Sequence, residues 1–286
     1  MAIEEQSDMT RLIFLGTGGG RFATIYQMRA TAGIYIDDGV RMHIDPGPGA
    51  LVHLHRAGID PTLTDAILVS HCHPDHYTDA EILIEAMTQG GSKKRGTVLG
   101  SKSVFEGVKD FSPAISKYHS RLVEHIVTMV PRTRVKVDTV AIEATPSAHS
   151  DETAVGFRIF TSNGVISYVS DTALMPEVIQ AHRMARVLII ACTRPQRSRI
   201  PHHLATEDAA EIVKAIKPEL AVLTHFGLRM LRYDPDKEAE WIQTTTGIRT
   251  VAAKDGLILD IGTEIKLSMV EPKKIEPKWS EWAERA

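Results

Sequence analysis

Two cysteines, Cys72 and Cys192, are all the thiol chemistry that the 286 residues hold. They form no CxxC pair and are too few for a disulfide scaffold, so a reduced, intracellular setting is expected. Apolar runs stop far short of a membrane span, and no basic segment followed by an apolar stretch opens the chain; a soluble, cytoplasmic protein without a membrane partner is expected. The formal net charge of −3 gives no general attraction to nucleic acid or acidic membranes, leaving room only for a local basic face. There is no internal repeat, no low-complexity tract and no RNA-recognition signature. Gly18, Gly19 and Gly20 lack the lysine and hydroxyl residue of a phosphate-binding P-loop, although they could bring backbone close to a site.

What is present is a chain rich enough in apolar residues, 43%, to bury one large core. We expect one α/β domain over 10–269 and a peripheral tail over 270–286, with Trp279 and Trp282 as candidates to pack onto the body. "RLIFLG" at 11–16 reads as a strand, and "TAGIYID" and "VRMHID" as a hairpin around Asp38-Gly39. "ALVHLHRAG" is a short helix with Gly58 as its cap, and "AILVS" at 66–70 a buried strand. Thr78 and Glu81 are spaced as a capping box for a helix carrying Ile82, Leu83, Ala86 and Met87. Later strands are expected at 139–145, 164–170, 186–191 and 220–224, with a helix from Thr206 through Val213 and Ile216, stopped by Pro218. Helices interleaved with apolar strands imply a layered α/β domain.

The segment "HCHPDH" at 71–76 puts three histidines and an aspartate behind an apolar strand. His71 and His73 share parity in an extended stretch, so both rings can face one side, and Pro74 bends the chain before Asp75 and His76. Neutral imidazoles and carboxylates at this density suit two adjacent divalent ions. Further along, His149, Asp171 and His225 each lie at or just past the end of an apolar strand, where a sheet can gather distant residues at one rim. Such donors suit zinc first, with manganese or iron also compatible.

"HCHPDH", followed in order by His149, Asp171 within "SDT" and His225 within "THFG", resembles the HxHxDH signature and later ligands of the metallo-β-lactamase superfamily. The resemblance spans roughly 11–226 and implies a four-layer αββα sandwich with the metals at one sheet edge. It implies that His71, His73 and His149 hold one ion, that Asp75, His76 and His225 hold a second, and that Asp171 bridges them. "HIDPG" resembles the family's segment beside the site, which makes Asp45 a residue orienting a ligand imidazole. The implied reaction is hydrolysis through a metal-bridging hydroxide, with Asp75 also able to orient the attacking water.

"LGTGGG", Asp171-Thr172 and "HHLATEDAA" resemble the branch with transfer-RNA 3′-processing endonucleases and related cyclic-nucleotide or phosphonate-pathway phosphodiesterases. That resemblance makes His203 the candidate proton donor to the leaving group, with His202 beside it left open. The chain departs from the endonuclease pattern: Leu204-Ala205-Thr206 replaces the tight HST triplet, and Ala191-Cys192-Thr193 stands where Glu-Ala-Thr is usual. Arg194, Arg197 and Arg199 could clamp phosphate oxygens. Residues 91–139 hold ten Lys or Arg against four Asp or Glu, a possible anion-attracting lip, and Phe111, Tyr118 and His119 are candidate pocket residues. The expectation is a phosphodiesterase acting on a small anionic diester. The alternatives are a transfer-RNA-type processing endonuclease with RNA as partner, an iron-dependent oxidoreductase or dioxygenase, and a noncatalytic metal-binding interaction protein. The sequence leaves a homo-oligomer open.

Overall fold

The computed structural model describes residues 9–271. The expected tail therefore lies outside the described residues from 272 onward, and Trp279 and Trp282 with it. In chain order, the first sheet is entered by β1 (Thr10–Phe14), β2 (Ile34–Asp37), β3 (Arg41–Ile44), β4 (Ala66–Val69), β5 (Thr97–Gly100) and β6 (His125–Thr128). The second sheet follows with β7 (Arg134–Val137), β8 (Val140–Pro146), β9 (Val155–Thr161), β10 (Gly164–Val169), β11 (Val187–Ala191), β12 (Leu220–Thr224) and β13 (Thr250–Ala252). The chain then returns to the first sheet with β14 (Leu257–Ile261) and β15 (Ile265–Met269). The orders are β15-β14-β1-β2-β3-β4-β5-β6 and β13-β12-β11-β10-β9-β8-β7.

Several strands are apolar on both faces because each face meets a different layer. In β4, Ala66 and Leu68 point into the core between the sheets, while Ile67 and Val69 pack under outer helices with Leu54, Leu83 and Met87. In β11 and β12 the alternation repeats: Val187, Ile189, Leu220 and Val222 face the central core, and Leu188, Ile190, Ala221 and Leu223 face helices carrying Ile212, Val213 and Ile242. A period of two on strands buried on both sides produces continuous apolar runs. Two sheets with helices on both outer faces make the expected four-layer αββα sandwich.

The helix starting at Thr206 ends at Ile216, one residue before Lys217 in a left-handed cap and two before Pro218. Gly58 lies one residue beyond the closing residue Ala57, with φ of 74° and its N–H donating to His55 O. One local reading is corrected. Thr78 does not cap the helix Ala80–Met87; Asp79 precedes it, without a capping side-chain bond. Pro74 starts a one-turn helix over Pro74–Tyr77, leaving Thr78 at φ −58° and ψ −26°, and a capping hydroxyl needs an extended backbone. Glu81 instead accepts the Ser116 N–H at 2.6 Å. Ile82 points outward, whereas Leu83, Ile84 and Met87 are buried.

Candidate metal centre

Loops leaving the ends of β1, β3, β4, β8, β10, β11 and β12 converge on one edge of the sandwich. β4 delivers His71, β10 delivers Asp171, and β12 delivers His225, each within two residues of the strand end. Nε2 of His71 is 3.0 Å from Nδ1 of His73, which is 3.1 Å from Nε2 of His149. Across the cluster, Nε2 of His76 is 3.1 Å from Nε2 of His225, and Oδ2 of Asp75 is 3.3 Å from the latter. Asp171 stands between the halves: its Oδ2 is 3.5 Å from His76 Nε2 and 4.0 Å from both His71 Nε2 and His149 Nε2. All seven residues expected as ligands are thus brought together. Two threes, His71-His73-His149 and Asp75-His76-His225, and a third set of His71, His76 and Asp171 each have donor atoms close enough for one ion.

The donor chemistry fits two divalent ions. Ring nitrogens only about 3 Å apart cannot all hydrogen-bond to one another unless protonated, and burial pushes His71 well below its ordinary pKa and His149 down to about 4. A tetrahedral ion with bonds of about 2.0–2.1 Å holds its donors roughly 3.3 Å apart, close to the spacing seen. Asp171 Oδ1 is buried, 3.1 Å from His225 Nδ1, without hydrogen-bond geometry to it or to any other described residue. Burial alone would raise the Asp171 and Asp75 carboxyls, but the histidines around them hold both below the usual range. His76 is also opposed by burial, yet Asp75 and Asp45 hold it well above its ordinary value. A proton and a metal compete for its Nε2.

Each ligand is held from behind. Asp45 Oδ2 meets Nδ1 of His76 at 2.9 Å and accepts the Tyr168 hydroxyl at 2.8 Å, while Oδ1 accepts the Ser70 N–H at 2.7 Å. This fixes the tautomer that aims Nε2 of His76 inward. The Ser70 hydroxyl lies 2.9 Å from His71 Nδ1, the His202 carbonyl 3.0 Å from His149 Nδ1, and the Thr193 hydroxyl 3.1 Å from His225 Nδ1. Asp45, His202 and His225 have φ of 50°, 63° and 59°, left-handed conformations that side chains other than glycine rarely adopt and that cluster at functional sites.

The glycine run is part of this frame. A Cβ on Gly19 would lie 2.2 Å from the His225 ring, so only glycine admits that ligand, and the Gly20 N–H donates to Asp75 Oδ2 at 2.7 Å. Asp255 secures the turn by accepting the Thr17 N–H and hydroxyl at 2.9 and 2.6 Å and the Ala30 N–H at 2.8 Å. Arg29 adds a bond to the Thr17 hydroxyl at 2.9 Å.

His203 enters the cluster, with Nε2 3.8 Å from Asp171 Oδ2 and Nδ1 3.0 Å from Pro201 O. His202 is exposed and contributes its carbonyl. Arg194 turns onto its own loop, bonding Ser198 O and Oγ at 2.9 and 3.0 Å, and Arg199 binds Asp208 at 2.7 Å; Arg197 is exposed. Within the basic 91–139 segment, Arg95 pairs with Asp65, Lys102 with Glu106 and Lys109 with Glu152, and Arg134 lies over Phe160. From that segment Phe111 stands 5.5 Å from the His73 ring, whereas Tyr118 packs on His119, which pairs with Glu81 and Glu85. Ser70, Tyr168, Thr193 and Asp255 were not singled out from the sequence. Their roles depend on contacts across many residues, and only Ser70 and Thr193, each just past a strand end, carried a positional signal.

A two-sheet sandwich with this His/Asp cluster at its edge defines a metal-binding αββα protein. Residues 40–226 match the model of the beta-lactamase superfamily domain, and the chain belongs to the metallo-β-lactamase superfamily. It is 44% identical to an uncharacterized protein of Methanocaldococcus jannaschii, over 87% of this chain and 94% of that relative. It is 26% identical to ribonuclease Z of Pyrobaculum arsenaticum, over 77% of this chain and 88% of that enzyme. The metallo-beta-lactamase fold protein YhfI of Bacillus subtilis superposes with a TM-score of 0.74 at 21% identity, covering 88% of this chain and 99% of the other. No helix among the described residues is long and apolar enough to cross a membrane.

Proposed function

We propose that the chain hydrolyses phosphodiesters at a binuclear centre, with RNA as the preferred substrate class. The observation that carries the hydrolytic reading is the position of Asp171 Oδ2 between two complete ligand sets, with His203 at 3.8 Å on one flank. His71, His73 and His149 would hold one ion and Asp75, His76 and His225 the other, with Asp171 placed within reach of both sets. When bound, two such ions supply Lewis-acid activation of water and charge neutralisation at phosphoryl oxygens; the donor set suits zinc and also admits manganese or iron. The ligand set is fuller than oxygen chemistry at a single iron needs, which places the oxidoreductase reading lower.

His203 donates a proton to the departing alkoxide from Nε2. Its Nδ1–H bonds Pro201 O, which fixes the ring with Nε2 toward Asp171 at 3.8 Å. Asp75, held by the Gly20 N–H, orients the attacking water. His202 positions His149 through its carbonyl.

The ranking of RNA above small diesters reverses the order expected from charge. It is supported by relatives named ribonuclease Z that align over most of this chain. A small anionic diester is the second reading, because Ala191, fully buried, stands where the endonuclease pattern carries glutamate, and Arg194 and Arg199 are engaged within the fold. The test compares kcat/KM on a precursor transfer RNA with bis-p-nitrophenyl phosphate and cyclic nucleotides. Defined 3′ cleavage with the highest kcat/KM is expected; a small diester outpacing it would install the second reading. Hydrolysis of none by metal-loaded protein would remove both.

A further inference from the structure

The segments that follow Gly20 and His225 on the Asp75–His225 flank of the cluster form an outward-facing apolar groove. The helix Arg21–Tyr26 starts directly after Gly20, whose N–H holds Asp75, and the helix Leu228–Tyr233 begins three residues after His225. Phe22, Tyr26, Met28, Leu228 and Arg232 line a groove of about 530 Å³ between them. Phe22, Tyr26 and Met28 are 58%, 67% and 52% exposed, an unusual concentration of large apolar side chains in water. Phe22 and Tyr26, four apart on one helix, share a face. From Gly20 to Phe22 the chain spans at most roughly 7 Å, so the groove begins beside the metal ligands. The charges in 21–29 and 226–233 are four arginines, Arg21, Arg29, Arg229 and Arg232, without one carboxylate.

We propose that this groove is a nucleobase subsite. It rests on the phosphodiester reading: with the scissile phosphate at the cluster, the nucleoside on the side away from His203 stacks its base on the Phe22–Tyr26 face, and Arg232 meets the adjoining phosphate. Aromatic faces accept any base, and arginines add charge attraction. A second copy of the chain is a poorer occupant, because a two-fold interface would bring Arg232 of the lining toward its own copy, whereas a nucleotide supplies the phosphate it lacks.

The test is the ratio of kcat/KM for thymidine 5′-p-nitrophenyl phosphate over methyl p-nitrophenyl phosphate. Base stacking corresponds to roughly a 10- to 100-fold preference for the nucleoside ester in the wild type. Phe22→Ala with Tyr26→Ala is expected to lower that ratio at least about tenfold, and Tyr26→Phe to preserve it. An unchanged ratio in the double variant overturns the proposal. If the wild type cleaves neither ester, cleavage of precursor transfer RNA decides the phosphodiester reading separately, and anisotropy of a labelled oligouridylate decides the groove: binding at least about tenfold weaker in the double variant supports it, and equal binding overturns it. Sedimentation velocity reads the other occupant. A wild-type dimer that the double variant converts to monomer overturns the subsite in favour of a second copy.

Discussion

The two halves of the cluster are held by different chemistry. His71 and His149 lean on neutral partners, the Ser70 hydroxyl and the His202 carbonyl. His76 leans on the Asp45 carboxylate, and its half includes a second carboxylate, Asp75, tied to Gly20. The second half is therefore an anionic, rigidly braced seat for a cation, and the first a neutral one that opens toward His203. On the proposed mechanism, tight cation retention falls to the Asp75 side and leaving-group chemistry to the His149 side.

The sharpest way to break this division is at His203. His203→Ala should lower kcat by about 10²- to 10⁴-fold for a diester with a poor leaving group, and far less for a p-nitrophenolate leaving group, while both metals stay bound. Equal losses on the two substrates would make His203 a positioning residue. His202→Ala keeps the carbonyl on which His149 leans and serves as the comparison. Asp171→Ala removes the one carboxylate common to both halves. It should lower occupancy of both sites and suppress hydrolysis at least about 10-fold, read by elemental analysis beside turnover; unchanged metal content and unchanged turnover in folded protein would remove Asp171 from the centre. Asp45→Ala removes a direct partner from His76, and reaches His71 only through Ser70. It should weaken the second ion about 10- to 100-fold and the first much less, measured by calorimetric metal titration, whereas equal weakening of both would erase the contrast.

Away from the site, the acid limb of stability should follow histidines buried in neutral form. Burial lowers His182 to about 3 and His43 to about 4. The unfolded chain takes up protons first, near pH 6.5, so this stability is complete above that pH and is lost as pH falls toward the folded values. At pH 5 a group so shifted costs about 2 kcal/mol. Denaturant unfolding at pH 7.5 and pH 5 should show a smaller difference in His182→Gln than in the wild type; an identical difference would rule out His182 as a source.

Much of the architecture was legible because strands buried on both faces announce themselves, as "AILV", "VLIIA" and "LAVLT" do. The ligand cluster was legible because four ligands are local and three end apolar strands. The frame was not. Asp45 reaches Tyr168 across 123 positions and Thr17 reaches Asp255 across 238, distances that no local pattern spans. The Thr78 cap failed for the opposite reason, since a helical turn begun by Pro74 overrode a locally sound motif. Gly19 carried a signal of close approach, but only the position of His225 shows what approaches.

The account depends most on two unlike cation seats in one chain. Titrating chelator-stripped protein with zinc, and counting bound metal by elemental analysis, should give two ions per chain in two separable steps, with Asp45→Ala weakening chiefly the tighter. Saturation at one ion per chain under metal excess would contradict it.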